Sequence, residues 1–166
     1  MEQEKTDLTF ARMLSLPPTA VAVVKGSSAY PELHGTVKLY ATDRGTVVFA
    51  EIHGLPTPDG ACESPIFGFH IHDGSACTGN ESDPFADAGT HFNPSGCLHP
   101  YHAGDLPPLF GAEGIAILAV LTDRFDVEEV IGKAVVIHSS PDDFTTQPAG
   151  AAGEKMACGI ITPTKR

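Results

Sequence analysis

A chain of 166 residues fits one domain spanning 1–166, and dividing it would leave two cores too small to be stable alone. Hydrophobic residues make up 42% and charged residues only 19%, a balance that excludes a disordered chain. The formal charge of −11 excludes a nucleic-acid binder, because gripping a polyanion requires clustered Lys and Arg. There is no Trp, and 17 Gly with 14 Pro leave little room for long helices, so a β-rich fold with many turns is expected.

In chain order, the first ten residues, MEQEKTDLTF, lack the basic start and apolar stretch of a secretory signal, which predicts a cytoplasmic protein. Residues 1–17 read as a flexible or loosely packed lead-in. Segments of strand character follow at 20–25, 35–41, 45–53, 66–72, 114–121, 133–138 and 157–162. They are rich in Val, Ile and Phe and bounded by Gly, Pro, Asp or Ser. The longest apolar run, 115–121, is far too short to cross a bilayer, so no membrane partner is expected. Seven or eight such strands predict an antiparallel β-sandwich or small barrel. Residues 127–131 fit either a short strand or a helical turn. Two long stretches, 73–110 and 139–156, carry most of the His, Cys and acidic residues, and loops of that length are commonly functional.

The chemistry concentrates on histidine. His70 and His72 sit two apart in a strand and so present two imidazoles on one face. The first long stretch adds His91, His99 and His102, with Asp105 three residues on, and His138 ends the 133–138 strand. Four nitrogens in a flattened set suit Cu(II), and three imidazoles with a carboxylate in a tetrahedral set suit Zn(II). Each residue alone has an ordinary alternative. A single His-x-His is weak evidence, and a lone loop histidine usually satisfies local hydrogen bonds.

The joint pattern is more specific. Gly68-Phe69-His70-Ile71-His72, His91-Phe92-Asn93-Pro94, His102-Ala103-Gly104-Asp105-Leu106, Val135-Val136-Ile137-His138 and Gly153-Glu154-Lys155-Met156-Ala157-Cys158-Gly159-Ile160 resemble the copper–zinc superoxide dismutase family, in its order, across about residues 35–161. The resemblance implies a Greek-key β-sandwich or flattened barrel of about eight strands with two long functional loops. It implies copper on His70, His72, His91 and His138, and zinc on His91, His99, His102 and Asp105, with His91 shared. The step from His99 to His102 is shorter than the family commonly shows, which implies a compact zinc loop. Asp142 matches the family's aspartate that joins a copper ligand to a zinc ligand. His34 and His53 match no ligand position.

The resemblance also implies a Cys77–Cys158 disulfide, and Cys62 with Cys97 are candidates for a second bridge. A bridged chain would suit an oxidising compartment as well as the cytoplasm. Lys155 stands where the family places an arginine beside the copper, keeping the charge but not the planar fork of donors. The implied activity is disproportionation of superoxide by copper alternating between Cu(II) and Cu(I), zinc being structural and tuning, with His91 and Lys155 serving the chemistry. Superoxide is then the partner, and a homodimer is one option. A non-catalytic dismutase-like or copper-delivery module is the main alternative, and the full set of four copper-position histidines weighs against it.

Overall fold

The computed structural model describes residues 9–63 and 65–165. Among them lie nine strands: β1 (Ala20–Gly26), β2 (His34–Thr42), β3 (Gly45–His53), β4 (Ile66–Phe67), β5 (Phe69–His72), β6 (Leu109–Phe110), β7 (Ala116–Thr122), β8 (Ala134–His138) and β9 (Lys155–Pro163). Seven of them form one curled antiparallel sheet in the order β5-β8-β9-β1-β2-β3-β7, and β4 pairs with β6 in a two-stranded ribbon. From β3 the chain jumps to the far edge to make β5, returns to lay β7 beside β3, then jumps again to place β8 beside β5. These three crossings give Greek-key connectivity and place both long loops at the β5–β8 edge.

Strand alternation builds the core. In β1, Ala20, Ala22 and Val24 are buried while Val23 faces out, and β2 and β3 contribute Val37, Leu39, Val48, Ala50 and Ile52 to the same core. β8 is buried along its whole length because both its faces are covered. Val135 and Ile137 enter the main core, whereas Ala134 and Val136 pack with Phe85, Ala88 and Cys158 under the first loop. β5 obeys the same alternation with a different outcome: Phe69 and Ile71 lock into the core, so His70 and His72 must face the loops.

Three local findings refine the sequence reading. The 66–72 segment is split at Gly68, whose amide donates to Ser140 O and whose carbonyl accepts from the His138 amide. A Cβ at Gly68 would lie 2.7 Å from Ala152 Cβ, so glycine lets the second loop press against β5. Residues 127–130 are a helical turn, α2 (Val127–Val130), entered by a turn in which the Asp126 amide donates to Glu129 Oε2 at 2.7 Å. Residues 10–14 form a further short helix, α1 (Phe10–Leu14), and its Met13 is buried against Tyr40 and Val47. Met13 is the one buried residue of 9–17, the others being exposed, and residues 1–8 of that expectation lie outside the described residues. No helix among the described residues is long and apolar enough to cross a membrane.

Cys77 and Cys158 are bridged across 81 residues of sequence, tying the first loop to β9. Closing a loop of that size removes about 4 kcal/mol of unfolded-state entropy in the chain-entropy model. The second bridge does not form: Cys62 and Cys97 are both free and exposed, each on a surface loop segment.

Candidate metal centre

The first loop is stitched to the open edge of β5. The Ile71 amide donates to Gly104 O, the Phe92 amide to Ile71 O, and the Gly104 amide to Phe92 O, while His72 bridges His91 and His70 bridges Asp105 across the backbone. These bonds carry His91 and Asp105 to the face already holding His70 and His72. β8 supplies His138 from the other side. The result is two groups whose ligand atoms converge: His70, His72, His91 and His138, and His91, His99, His102 and Asp105. His91 belongs to both. Every residue singled out from the sequence as a ligand falls into one of them, and the histidines are almost fully buried.

Which nitrogen each ring offers follows from what holds its other nitrogen. His72 Nδ1 donates to Gly89 O at 2.8 Å and His138 Nδ1 to Gly153 O at 3.3 Å, so both present bare Nε2 atoms. His70 Nε2 donates to Asp142 Oδ2 at 2.8 Å and His99 Nε2 to Asp142 Oδ1 at 2.7 Å, so both present Nδ1. Asp142 thus joins one residue of each group. His91 Nδ1 lies 2.7 Å from Asp105 Oδ1 and 3.3 Å from His102 Nδ1, and its Nε2 is buried with no hydrogen-bond partner. His70 Nδ1 and His99 Nδ1 are likewise buried without one, although His99 Nδ1 comes within 3.0 Å of Asp105 Oδ2.

Such an arrangement is unfavourable without cations. His72 Nε2 and His138 Nε2 stand 3.2 Å apart, and with both Nδ1 protons committed to carbonyls two lone pairs face each other. Buried polar atoms normally have partners, and their absence at three ring nitrogens marks positions built to ligate. The donor chemistry fits: four imidazole nitrogens suit copper, and three imidazoles with one carboxylate suit zinc.

Burial, the largest cause, pushes the His72 imidazole down to about 2 and His138 to about 3, and it lowers His70 as well. At neutral pH these rings are neutral and their lone pairs are free to coordinate. Burial pushes the Asp142 carboxyl up, but hydrogen bonds from His70, His99 and the Phe144 amide outweigh it and hold the group ionised.

The second loop closes over this cluster through residues that the sequence did not mark. Gln147 Oε1 accepts from the His99 amide at 2.9 Å, and its Nε2 donates to His99 O at 2.7 Å. Gly150 has φ +73, and a Cβ there would lie 2.1 Å from Asp142 Oδ1 and 2.6 Å from His99 Nε2. Arg124 Nη1 donates to Pro100 O at 2.9 Å and His102 O at 3.2 Å, fastening the first loop from outside.

A cavity of about 560 Å³ opens onto the His72, His91 and His138 side and is also lined by Asp83, Glu154 and Lys155. Lys155 reaches it through an irregularity in pairing. Ile137 faces Ala157 but His138 faces Lys155, so Met156 is an extra residue and keeps its place in the core while Lys155 turns to the loop side. Its ammonium does not stand free: Nζ lies 2.6 Å from Asp83 Oδ2. Burial pushes the Asp83 carboxyl up, but the hydrogen bonds from Lys155 and the Phe85 amide prevail and hold it below the ordinary carboxylate range.

Two outcomes follow. Gly150→Ala, forced against both Asp142 and His99, weakens zinc retention about tenfold or more in chelator competition, the usual scale for disturbing an outer partner of a ligand. The metal-free chain loses stability as pH falls below about 6.5 toward 3. Over that range the unfolded state binds protons that buried His72 and His138 refuse, so stability rises with pH. Depressed Asp105 and Asp142 act with the same sign at the acid end. Thermal melts from pH 7 to pH 4 should show a falling Tm, and a flat profile would contradict it.

Residues 33–161 match the family model described as copper/zinc superoxide dismutase. Among curated proteins, superoxide dismutase (Cu-Zn) 2 of Aquifex aeolicus is 33% identical over 145 residues, covering 78% of this chain and 80% of that protein. Superoxide dismutase (Cu-Zn) of Haemophilus parainfluenzae is 37% identical over 142 residues, covering 76% and 72%. That of Actinobacillus pleuropneumoniae is 31% identical over 175 residues, covering 96% and 86%. The match spans the strands and both loops that build the histidine cluster, and the chain belongs to the copper/zinc superoxide dismutase family.

Proposed function

We propose that this protein disproportionates superoxide: two superoxide ions and two protons give one dioxygen and one hydrogen peroxide. In this reading His70 Nδ1, His72 Nε2, His91 Nε2 and His138 Nε2 hold copper, while His91, His99, His102 and Asp105 hold zinc. The supporting observation is the position of His91, which turns one ring nitrogen to each converging group.

When bound, copper supplies one-electron chemistry between Cu(II) and Cu(I), and zinc, which has none, supplies a fixed positive charge. The chain's own residues do the rest. Gly89 O, Gly153 O and Asp142 fix the tautomers and tilt of His72, His138 and His70, so the ligands need little reorganisation between oxidation states. His91 Nε2, buried and without a hydrogen-bond partner, is the nitrogen placed to hold a proton between the two halves of the turnover. Lys155 supplies the cation that orients the anion at the cavity, with fewer fixed donors than an arginine would offer. The Cys77–Cys158 bridge supports residence in an oxidising compartment, in contrast to the cytoplasmic expectation from the first ten residues.

The test is metal content and superoxide decay on the same preparation. About one copper and one zinc per chain with catalytic decay of superoxide is expected. Both metals bound with no decay above free buffer would leave a metal-binding module and end the proposal. Lys155→Met should lower kcat/KM several-fold. Because Asp83 pairs with Lys155 on a chain at −11, the rate should fall only weakly with added salt.

A further inference from the structure

Among the described residues, the charged groups lining the cavity are Lys155, Asp83 and Glu154. Glu154 is engaged by the Tyr30 hydroxyl at the rim. Lys155 is the only cation there, and it is 2.6 Å from Asp83 Oδ2. Asp83 is fixed independently of that contact. Its Oδ1 accepts from the Phe85 amide at 3.1 Å, and Asn80 Oδ1 receives the amides of Ser82 and Asp83 at 3.0 Å each. The turn that carries it lies just beyond Cys77, whose bridge reaches Cys158, three residues past Lys155. One covalent and one ionic tie therefore join the same two segments.

We propose that Asp83 is a positioning residue: it anchors Lys155 at the cavity as an oriented donor and, by cancelling its charge, limits how strongly the site attracts a small anion. Lysine has a flexible stem and one compact charge, so without a fixed partner its ammonium would not keep one place. Asp83 occupies one of its three N–H donors and leaves two for an incoming anion. Anchoring and charge act in opposite directions on affinity. A unit charge about 6 Å from the anion, at an effective dielectric of roughly 40–80, changes binding about three- to tenfold. An asparagine at position 83 would keep an acceptor oxygen for Lys155, so the charge effect should win.

The assignment to catalysis rests on the dismutase reading, but its test does not. The probe is azide, titrated by visible absorption on the copper- and zinc-loaded protein at low ionic strength. Asp83→Asn should tighten azide binding about three- to tenfold and make both azide affinity and kcat/KM fall more steeply with salt. Asp83→Ala removes the same charge together with the acceptor, and its azide affinity should fall at least twofold short of the Asn variant. Unchanged or weaker azide binding in a fully metal-loaded Asp83→Asn protein would overturn the charge assignment. Equal affinities in the Asn and Ala variants would overturn the anchoring. Loss of superoxide decay in the unmutated protein would instead count against the dismutase reading and leave the azide comparison intact.

Discussion

The structure depends on holding six imidazoles and one carboxylate together out of water with their ligand atoms converging. Left alone, facing lone pairs repel, and buried ring nitrogens without partners each forfeit a hydrogen bond of roughly 1–3 kcal/mol. The fold imposes the arrangement from outside the cluster. Backbone carbonyls at Gly89 and Gly153, and the two oxygens of Asp142, take the outward proton of four of the rings, those of His72, His138, His70 and His99, and so fix their orientation. A site so constrained is destabilising until cations enter it, which couples folding free energy to metal binding.

The sheet makes that constraint affordable. Phe69 and Ile71 anchor β5 in the core, and a one-residue slip of that strand would exchange them for His70 and His72. The penalty for burying two histidines in an apolar core fixes the register, so the same alternation that builds the core aims the ligands. β8 is pinned on both faces, which holds His138 at its end as firmly as a core residue. Lys133 adds a strut. Its ammonium sits 2.6 Å from Asp73 and 4.8 Å from the centre of the Phe92 ring, linking the residues that follow His72 and His91.

Much of this was legible from sequence because it is local. Strand period, the His-x-His pair and the lengths of the two loops are carried within short windows, and the strand positions agree with the structure to within a few residues. The family resemblance added Asp142 and the Cys77–Cys158 bridge, which spacing alone could not supply. What escaped is long-range. Gln147 meets His99 across 48 residues, Gly150 matters only because Asp142 and His99 lie where its Cβ would be, and Asp83 meets Lys155 across 72 residues. Nothing near Met156 announces that it is the extra residue in its strand, since that follows from the partner strand's ending at His138. Gly150 and Gly153 were an available signal: two glycines three residues apart in the second long loop suggest close backbone approach, and both take positive φ in the structure. Cys62 and Cys97 show the opposite case: their places before the His-x-His strand and in the first loop made a second bridge one option, and the fold leaves both thiols free.

Everything about the site turns on the two faces of one ring. Diffraction from crystals of the copper- and zinc-loaded protein, with anomalous data collected at both absorption edges, measures this directly. The expected result is a copper signal about 2 Å from His91 Nε2 and a zinc signal about 2 Å from His91 Nδ1. A single metal between the groups, or an imidazole at position 91 turned away from either ion, would contradict it.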